Sequence, residues 1–143
     1  MDVNDESRAV ALTIPPKAEY LVFCRLVLTG IARVHDIEDE VLGDLKLAVT
    51  EACSNAIRHA YDEGALGNVQ VRYELGADSI AVEIVDEGHG FALDYPEADA
   101  IELSEDGMGL AIIRAVVDEL EIDTGPGGRG SSLRLTKFLR SPL

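Results

Sequence analysis

Leu47-Ala48-Val49-Thr50-Glu51-Ala52-Cys53-Ser54-Asn55-Ala56-Ile57-Arg58-His59-Ala60-Tyr61 is the stretch on which the fold turns. Glu51, Asn55 and His59 recur every four residues, about one helical turn, so they line one face of a helix. Ala48, Ala52, Ala56 and Ala60 recur beside them, as expected where a helix packs closely on a sheet. A solvated polar stripe is the ordinary outcome of such spacing. Next to an alanine face, the same stripe borders a cavity, where carboxylate and amide oxygens suit Mg²⁺, which takes few protein ligands and keeps several waters.

Working outward, Asp36 is expected to cap this helix, with Glu38, Asp39 and Glu40 favourable at the positive end of its dipole. Its end is expected near Tyr61, before Asp62-Glu63-Gly64. Upstream, Tyr20, Phe23, Cys24, Val27, Leu28 and Ile31 mark an amphipathic helix from Ala18 to about Val34. Residues 9–14, stopped by Pro15-Pro16, suit a first or edge strand. Downstream, Val69, Val71, Tyr73 and Leu75 alternate with polar residues, and Ile80, Val82 and Ile84 alternate again after the turn Gly76–Ser79. These two runs predict a hairpin with one buried and one wet face. Residues 88–106 are rich in Gly and acidic residues and lack strong periodicity, which in so small a domain marks a functional or disordered segment, typically a lid. Leu110, Ile113, Val117 and Leu120 begin a third helix; Glu121–Thr124 and Ser132–Phe138 read as strands around a Gly125–Gly130 loop.

The composition narrows the function classes. A chain of 143 residues fits one domain, 1–143, with residues 1–7 expected to be flexible. With 27 acidic against 12 basic side chains the net charge is −15, the wrong sign for a broad nucleic-acid face. No apolar run approaches the roughly 20 residues a membrane span needs. Cys24 and Cys53, without a CxxC or histidine cluster, read as reduced core thiols of a cytosolic protein.

Two further motifs carry chemistry. In Val85-Asp86-Glu87-Gly88-His89-Gly90-Phe91 an aspartate ends a buried strand, able to accept a hydrogen bond from a base's amino group, and two glycines allow close backbone approach to a ligand. Asp106-Gly107-Met108-Gly109-Leu110 opens the third helix, where free N–H groups and the dipole suit phosphate. Each alone is an ordinary turn. In order, Glu51-x₃-Asn55-x₃-His59, Asp86-x-Gly88-x-Gly90, Gly107-Met108-Gly109-Leu110 and Gly130-Ser131 resemble the N, G1, G2 and G3 boxes of the GHKL ATPase superfamily. The wording of LAVTEACSNAIRHAY, VEIVDEGHGF, GMGLAIIRAVVDELEI and GSSLRLTK is most similar to bacterial anti-sigma factor serine/threonine kinases, over about Leu12 to Phe138.

The resemblance implies a Bergerat two-layer α/β sandwich, a mixed sheet of about five strands with three helices on one face and an ATP lid at about residues 91–106. It implies that Asn55 holds Mg²⁺ and that Asp86, supported by Ser131, binds the adenine amino group. Gly88 and Gly90 pass beside the nucleotide, and Gly107, Met108, Gly109 and Leu110 meet the phosphates. Arg58 is placed either to reach a phosphate or to stand as an exposed helix arginine. Glu51 takes the general-base position, and Arg25 that of a partner-contacting arginine. The implied activity is ATP-dependent phosphorylation of a STAS-domain anti-sigma antagonist by a cytoplasmic homodimer that also sequesters a sigma factor. One departure stands out: from Asp94 to Asp106 there are six acidic residues and no Lys or Arg. That lid keeps open the alternative of a non-catalytic ATP- or ADP-binding sensor that grips a partner.

Overall fold

The structure, a computed structural model, describes residues 8–62, 67–89, 105–124 and 129–139. The chain starts with β1 (Arg8–Ile14), which stops where Pro15 and Pro16 remove two backbone donors. A 3₁₀ turn (Ala18–Tyr20) leads into α1 (Leu21–His35) and then α2 (Asp39–Asp62). Strands β2 (Val69–Leu75) and β3 (Ser79–His89) form the expected hairpin around Gly76–Asp78. Helix α3 (Glu105–Val116) crosses over to β4 (Glu119–Thr124), and β5 (Arg129–Phe138) returns.

Helix α3 ends at Val116, short of Val117 and Leu120, which the sequence reading places in it; Leu120 belongs to β4, and β5 begins at Arg129, three residues before the expected Ser132. Three further differences concern a helix cap, the start of α3 and the sheet. Asp36 does not cap α2; it closes α1 in the left-handed region (φ 60°, ψ 48°), donating its N–H to the Ala32 carbonyl. Aspartate tolerates this conformation because its short side chain bonds locally, and the third-residue gap to Asp39 absorbs the turn. Second, α3 begins at Glu105, so the last two acidic residues assigned to the lid, Glu105 and Asp106, form its first turn. The rest of the lid and Gly90 lie outside the described residues. Third, the sheet order β1-β2-β3-β5-β4 makes every pairing antiparallel where the resemblance implies a mixed sheet. β3 and β4 run the same way through the α3 crossover, but β5 inserts between them, so no parallel pair forms.

Among the described residues the two-layer α/β architecture has five strands and three α-helices, as expected. Along β2, Val69, Val71, Tyr73 and Leu75 are buried toward the helices while Gln70 and Arg72 are exposed. On the wet face Glu74 accepts from Arg72 (2.7 Å) and Arg134 (3.0 Å), tying β2 to β5 across β3, and these guanidiniums hold its carboxyl below the usual range. The core joins Leu28 of α1, Leu45 and Val49 of α2, Ile113 of α3 and Ile84 and Leu135 of the sheet, all 0% exposed. Cys24 and Cys53 are free and buried, as expected, and the buried Tyr73 hydroxyl donates to the Cys24 carbonyl at 2.9 Å. Burial pushes the Tyr73 phenol up, so it stays a donor across the working pH range. No helix among the described residues is long and apolar enough to cross a membrane.

The fit of α2 on the sheet is tight: Ala48, Ala52 and Ala56 are each 0% exposed. Ala52→Leu should therefore lower stability by about 1–3 kcal/mol through overpacking. Gly43→Ala, with nothing within 4 Å of the added methyl, should raise it by about 0.4–1 kcal/mol. Urea midpoints at constant m-value measure both; an undisturbed Ala52→Leu protein would show that α2 has slack.

Candidate active site at the edge of the second helix

The alanine row of α2 brings its backbone close to the sheet, which leaves Glu51 and Asn55 at the margin of that contact. Asn55 is only 1% exposed. Its Oδ1 accepts from Arg58 Nη2 at 2.9 Å, one turn on, while its Nδ2 has no hydrogen-bond partner among the described residues. A buried amide left half satisfied costs about 1–3 kcal/mol, the kind of cost that persists where a ligand is met. The unpartnered Nδ2 is a donor and suits an acceptor such as a phosphate oxygen, whereas the oxygen that Mg²⁺ would take is the one now accepting from Arg58, so a metal there would replace that bond.

Glu51 is half-buried and reaches across to α3. A Cβ on Gly109 would stand 2.9 Å from Glu51 Oε1 and 3.9 Å from its Cδ, so the carboxylate rests directly against the second turn of α3. The N-box glutamate and the glycine motif, 58 positions apart in sequence, are neighbours in space. Gly107 falls in the first turn of α3, where helix N–H groups lack carbonyl partners within the helix; Gly109 and Leu110 follow in the second, with Leu110 packed in the core. Met108 lies between them on the same helix.

Asp86, 1% exposed, lies on β3, a strand with neighbours on both sides. It pairs in register with Val69 of β2 and with Ser131 of β5. The ladder shifts between Asp86 and His89, a bulge that includes Gly88 and re-aims the strand just past the aspartate. Asp86 and Ser131 are thus brought side by side, as the motif order suggests; His59 lies on α2.

Arg25 of α1 is half-buried and donates to Thr50 Oγ1 at 3.3 Å, which fixes it beside the residue preceding Glu51. Arg58, besides its bond to Asn55, lines a cleft of about 390 Å³ with Pro16, Lys17, Ala18, Glu19, Ser54 and Ile57. Sequence reasoning missed two of these partnerships. The Arg58–Asn55 bond is an i, i+3 pair and was accessible from helical spacing. The Arg25–Thr50 bond joins two helices and had no local signal.

Comparison with known proteins places this geometry. The model of the histidine kinase-like ATPase domain matches residues 14–137. The chain is similar to serine-protein kinase RsbW of Bacillus subtilis (strain 168), 32% identical over 139 residues, covering 91% of this chain and 85% of the relative. It is 33% identical over 127 residues to serine-protein kinase RsbW of Oceanobacillus iheyensis, covering 82% and 80%. Among solved structures, the RsbU and RsbW domains of a Mycobacterium tuberculosis protein superpose with a TM-score of 0.70 at 20% identity, over 94% of this chain and 33% of that one. The SiaB–SiaC complex from Pseudomonas aeruginosa gives 0.66 at 14% identity, over 89% and 88%. At such identities these structures speak to the fold, and the family follows from the domain match and the kinase relatives: the chain belongs to the histidine kinase-like ATPase domain family.

Proposed function

We propose that the protein is an ATP-dependent protein-serine/threonine kinase and anti-sigma factor, which sequesters a sigma factor in the cytoplasm and phosphorylates a STAS-domain antagonist. The observation that carries this reading is the contact between the Glu51 carboxylate and the glycine turn of α3, one helical turn from the buried Asn55 amide. A base, a metal-binding oxygen and a phosphate-facing helix start are the parts phosphoryl transfer needs, since catalysis there is mostly positioning and electrostatics. Relatives named serine-protein kinase over most of their length support it.

In this reading Asp86 accepts from the adenine amino group, with Ser131 opposite it in the ladder, and Gly88 and Gly90 let the chain pass the nucleotide. Asn55 would hold Mg²⁺, which would supply positive charge to the phosphates. Gly107 to Leu110 line the phosphates, and Arg58 shifts its guanidinium from the Asn55 oxygen toward them. Glu51 takes the acceptor hydroxyl's proton as its oxygen bonds to the γ-phosphorus and the β–γ bridging oxygen departs with ADP. Arg25, held by Thr50 next to Glu51, meets the docked partner.

The homodimer has its own support. β1 is an edge strand whose Ala9, Val10 and Ala11 are exposed, and Val34 of α1 is 75% exposed near it. Val10 and Val34 line one cleft of about 450 Å³ with Val27, Gly30, Ile31 and His35. Unprotected apolar edges of this kind are ordinarily paired. The switch is electrostatic: a phosphate adds about −1.5 to −2 to the antagonist, which then leaves a protein of charge −15.

Three outcomes test this. Glu51→Gln should slow transfer of ³²P from MgATP to a STAS-domain acceptor by about 10²–10⁴-fold with ATP affinity kept; a wild-type rate removes Glu51 as base, and tight ATP binding without any transfer in the unmodified protein leaves a nucleotide-binding sensor. Asp86→Asn should weaken ATP binding about 10–100-fold and erode the preference for ATP over GTP, read by calorimetry. The sigma-factor complex should weaken steadily as salt rises from low ionic strength to physiological, because an acidic protein selects a basic face; a salt-insensitive affinity would leave the charge as a solubility feature.

A further inference from the structure

Gly109 raises a question that its motif does not answer. It lies inside α3, in the second turn, buried, and without a positive φ. Its backbone is therefore one that alanine adopts readily. In a helix interior glycine is about 0.5–1 kcal/mol worse than alanine, so a buried helical glycine with ordinary dihedrals needs a steric reason. Gly30 of α1 and Gly43 of α2 have no atom within 4 Å of an added Cβ, so no neighbour requires them to be glycine. Gly109 differs. The added Cβ would stand 2.9 Å from Glu51 Oε1, closer than real Cβ contacts come, and the next atom met is the Cδ of the same carboxylate at 3.9 Å.

The crowding atom is the end of a flexible side chain, not backbone. A methyl at 109 would therefore not break the fold; it would move the carboxylate. We propose that Gly109 is a positioning residue for Glu51: the missing side chain is the seat of the carboxylate, and it fixes Oε1 against the N-terminal half of α3. There the helix dipole favours a negative charge, and the seat keeps the carboxylate beside the turn that faces the phosphates, instead of free in solvent. This rests on the reading of Glu51 as base. It adds that the third motif serves the base as well as the nucleotide, through a space and not a contact group.

Gly109→Ala is the test, with transfer from MgATP to the STAS-domain acceptor and ATP affinity measured on the same preparations. The expected result is a folded protein whose ATP affinity stays within about threefold and whose kcat falls about 10–100-fold, the scale of a misplaced catalytic group. Glu51→Asp, shorter by one methylene, should be slow in the unmodified background yet should speed Gly109→Ala, because it withdraws the carboxylate from the new methyl. A Gly109→Ala protein with wild-type kcat overturns the proposal. So does one that loses kcat and ATP affinity together with no gain from Glu51→Asp, since the glycine then serves the nucleotide alone. If Gly109→Ala fails to fold, Gly109→Ala with Glu51→Ala must fold, and failure of both overturns the proposal. Glu51→Gln alone separates the two readings: a wild-type rate there strikes Glu51 as base, and with it the positioning role; a dead Glu51→Gln beside a fully active Gly109→Ala strikes only the latter.

Discussion

The close approach of α2 to the sheet governs everything else in this molecule. A helix whose inner row is alanine at positions 48, 52 and 56, all fully buried, lies nearer its sheet than one that must interleave leucines. Successive residues turn by about 100° around a helix, so Glu51 and Asn55 stand immediately beside that row. They are neither in the core nor in free solvent. Asn55 is sealed to 1% exposure, and Glu51 is half-buried with its carboxylate against α3. A bulkier row would lift α2 from the sheet and carry the Glu51 carboxylate away from its place against α3. The packing choice and the placement of chemistry are one decision.

How much of this could be read from the chain follows from the range of each interaction. The alternation in residues 69–75 and 80–85 is local, and both strands lie where it puts them. The alanine and polar rows of α2 are also local, and the burial of one beside the half-burial of the other matches the spacing. Asp36 shows the limit: the residue types that start helices also tolerate the left-handed conformation that ends them, and the decision lies with the three-residue joint between α1 and α2. The antiparallel sheet was hidden because β5 enters between two strands that precede it, a matter of topology with no residue signature. The Glu51–Gly109 neighbourhood had no local sign at all, since nothing in either motif reports the space between two helices.

The charge distribution takes on a different meaning once the site is located. At −15 the long-range field opposes ATP as much as nucleic acid. Binding at the site does not depend on that field. On the proposed reading it depends on donors at contact distance: the start of α3, the Asn55 amide and the Arg58 guanidinium one turn on along α2. Long-range repulsion slows approach and is screened at physiological salt, whereas donors at contact act in a partly desolvated pocket where each is stronger. The two effects work at different distances and need not agree in sign.

The distribution of cations around the site leads one step further. Residues 94–106 carry six acidic side chains and no Lys or Arg, so the lid side contributes no positive charge. Cations among the described residues around α2 are Arg58, bonded to Asn55, Lys17, which lines the same cleft as Arg58, and Arg25, bonded to Thr50. On the proposed reading an acceptor hydroxyl meets Glu51, which α2 carries seven residues before Arg58 and next to Thr50, the partner of Arg25. A docked acceptor that covered these cations would exclude water from around them and strengthen their pull on a developing phosphate charge. In a kinase with a cationic lid, nucleotide alone completes the electrostatic surround. On the proposed reading, a chain whose residues 94–106 bring no cation would leave that surround for a docked acceptor to complete, which would couple binding of the antagonist to transfer.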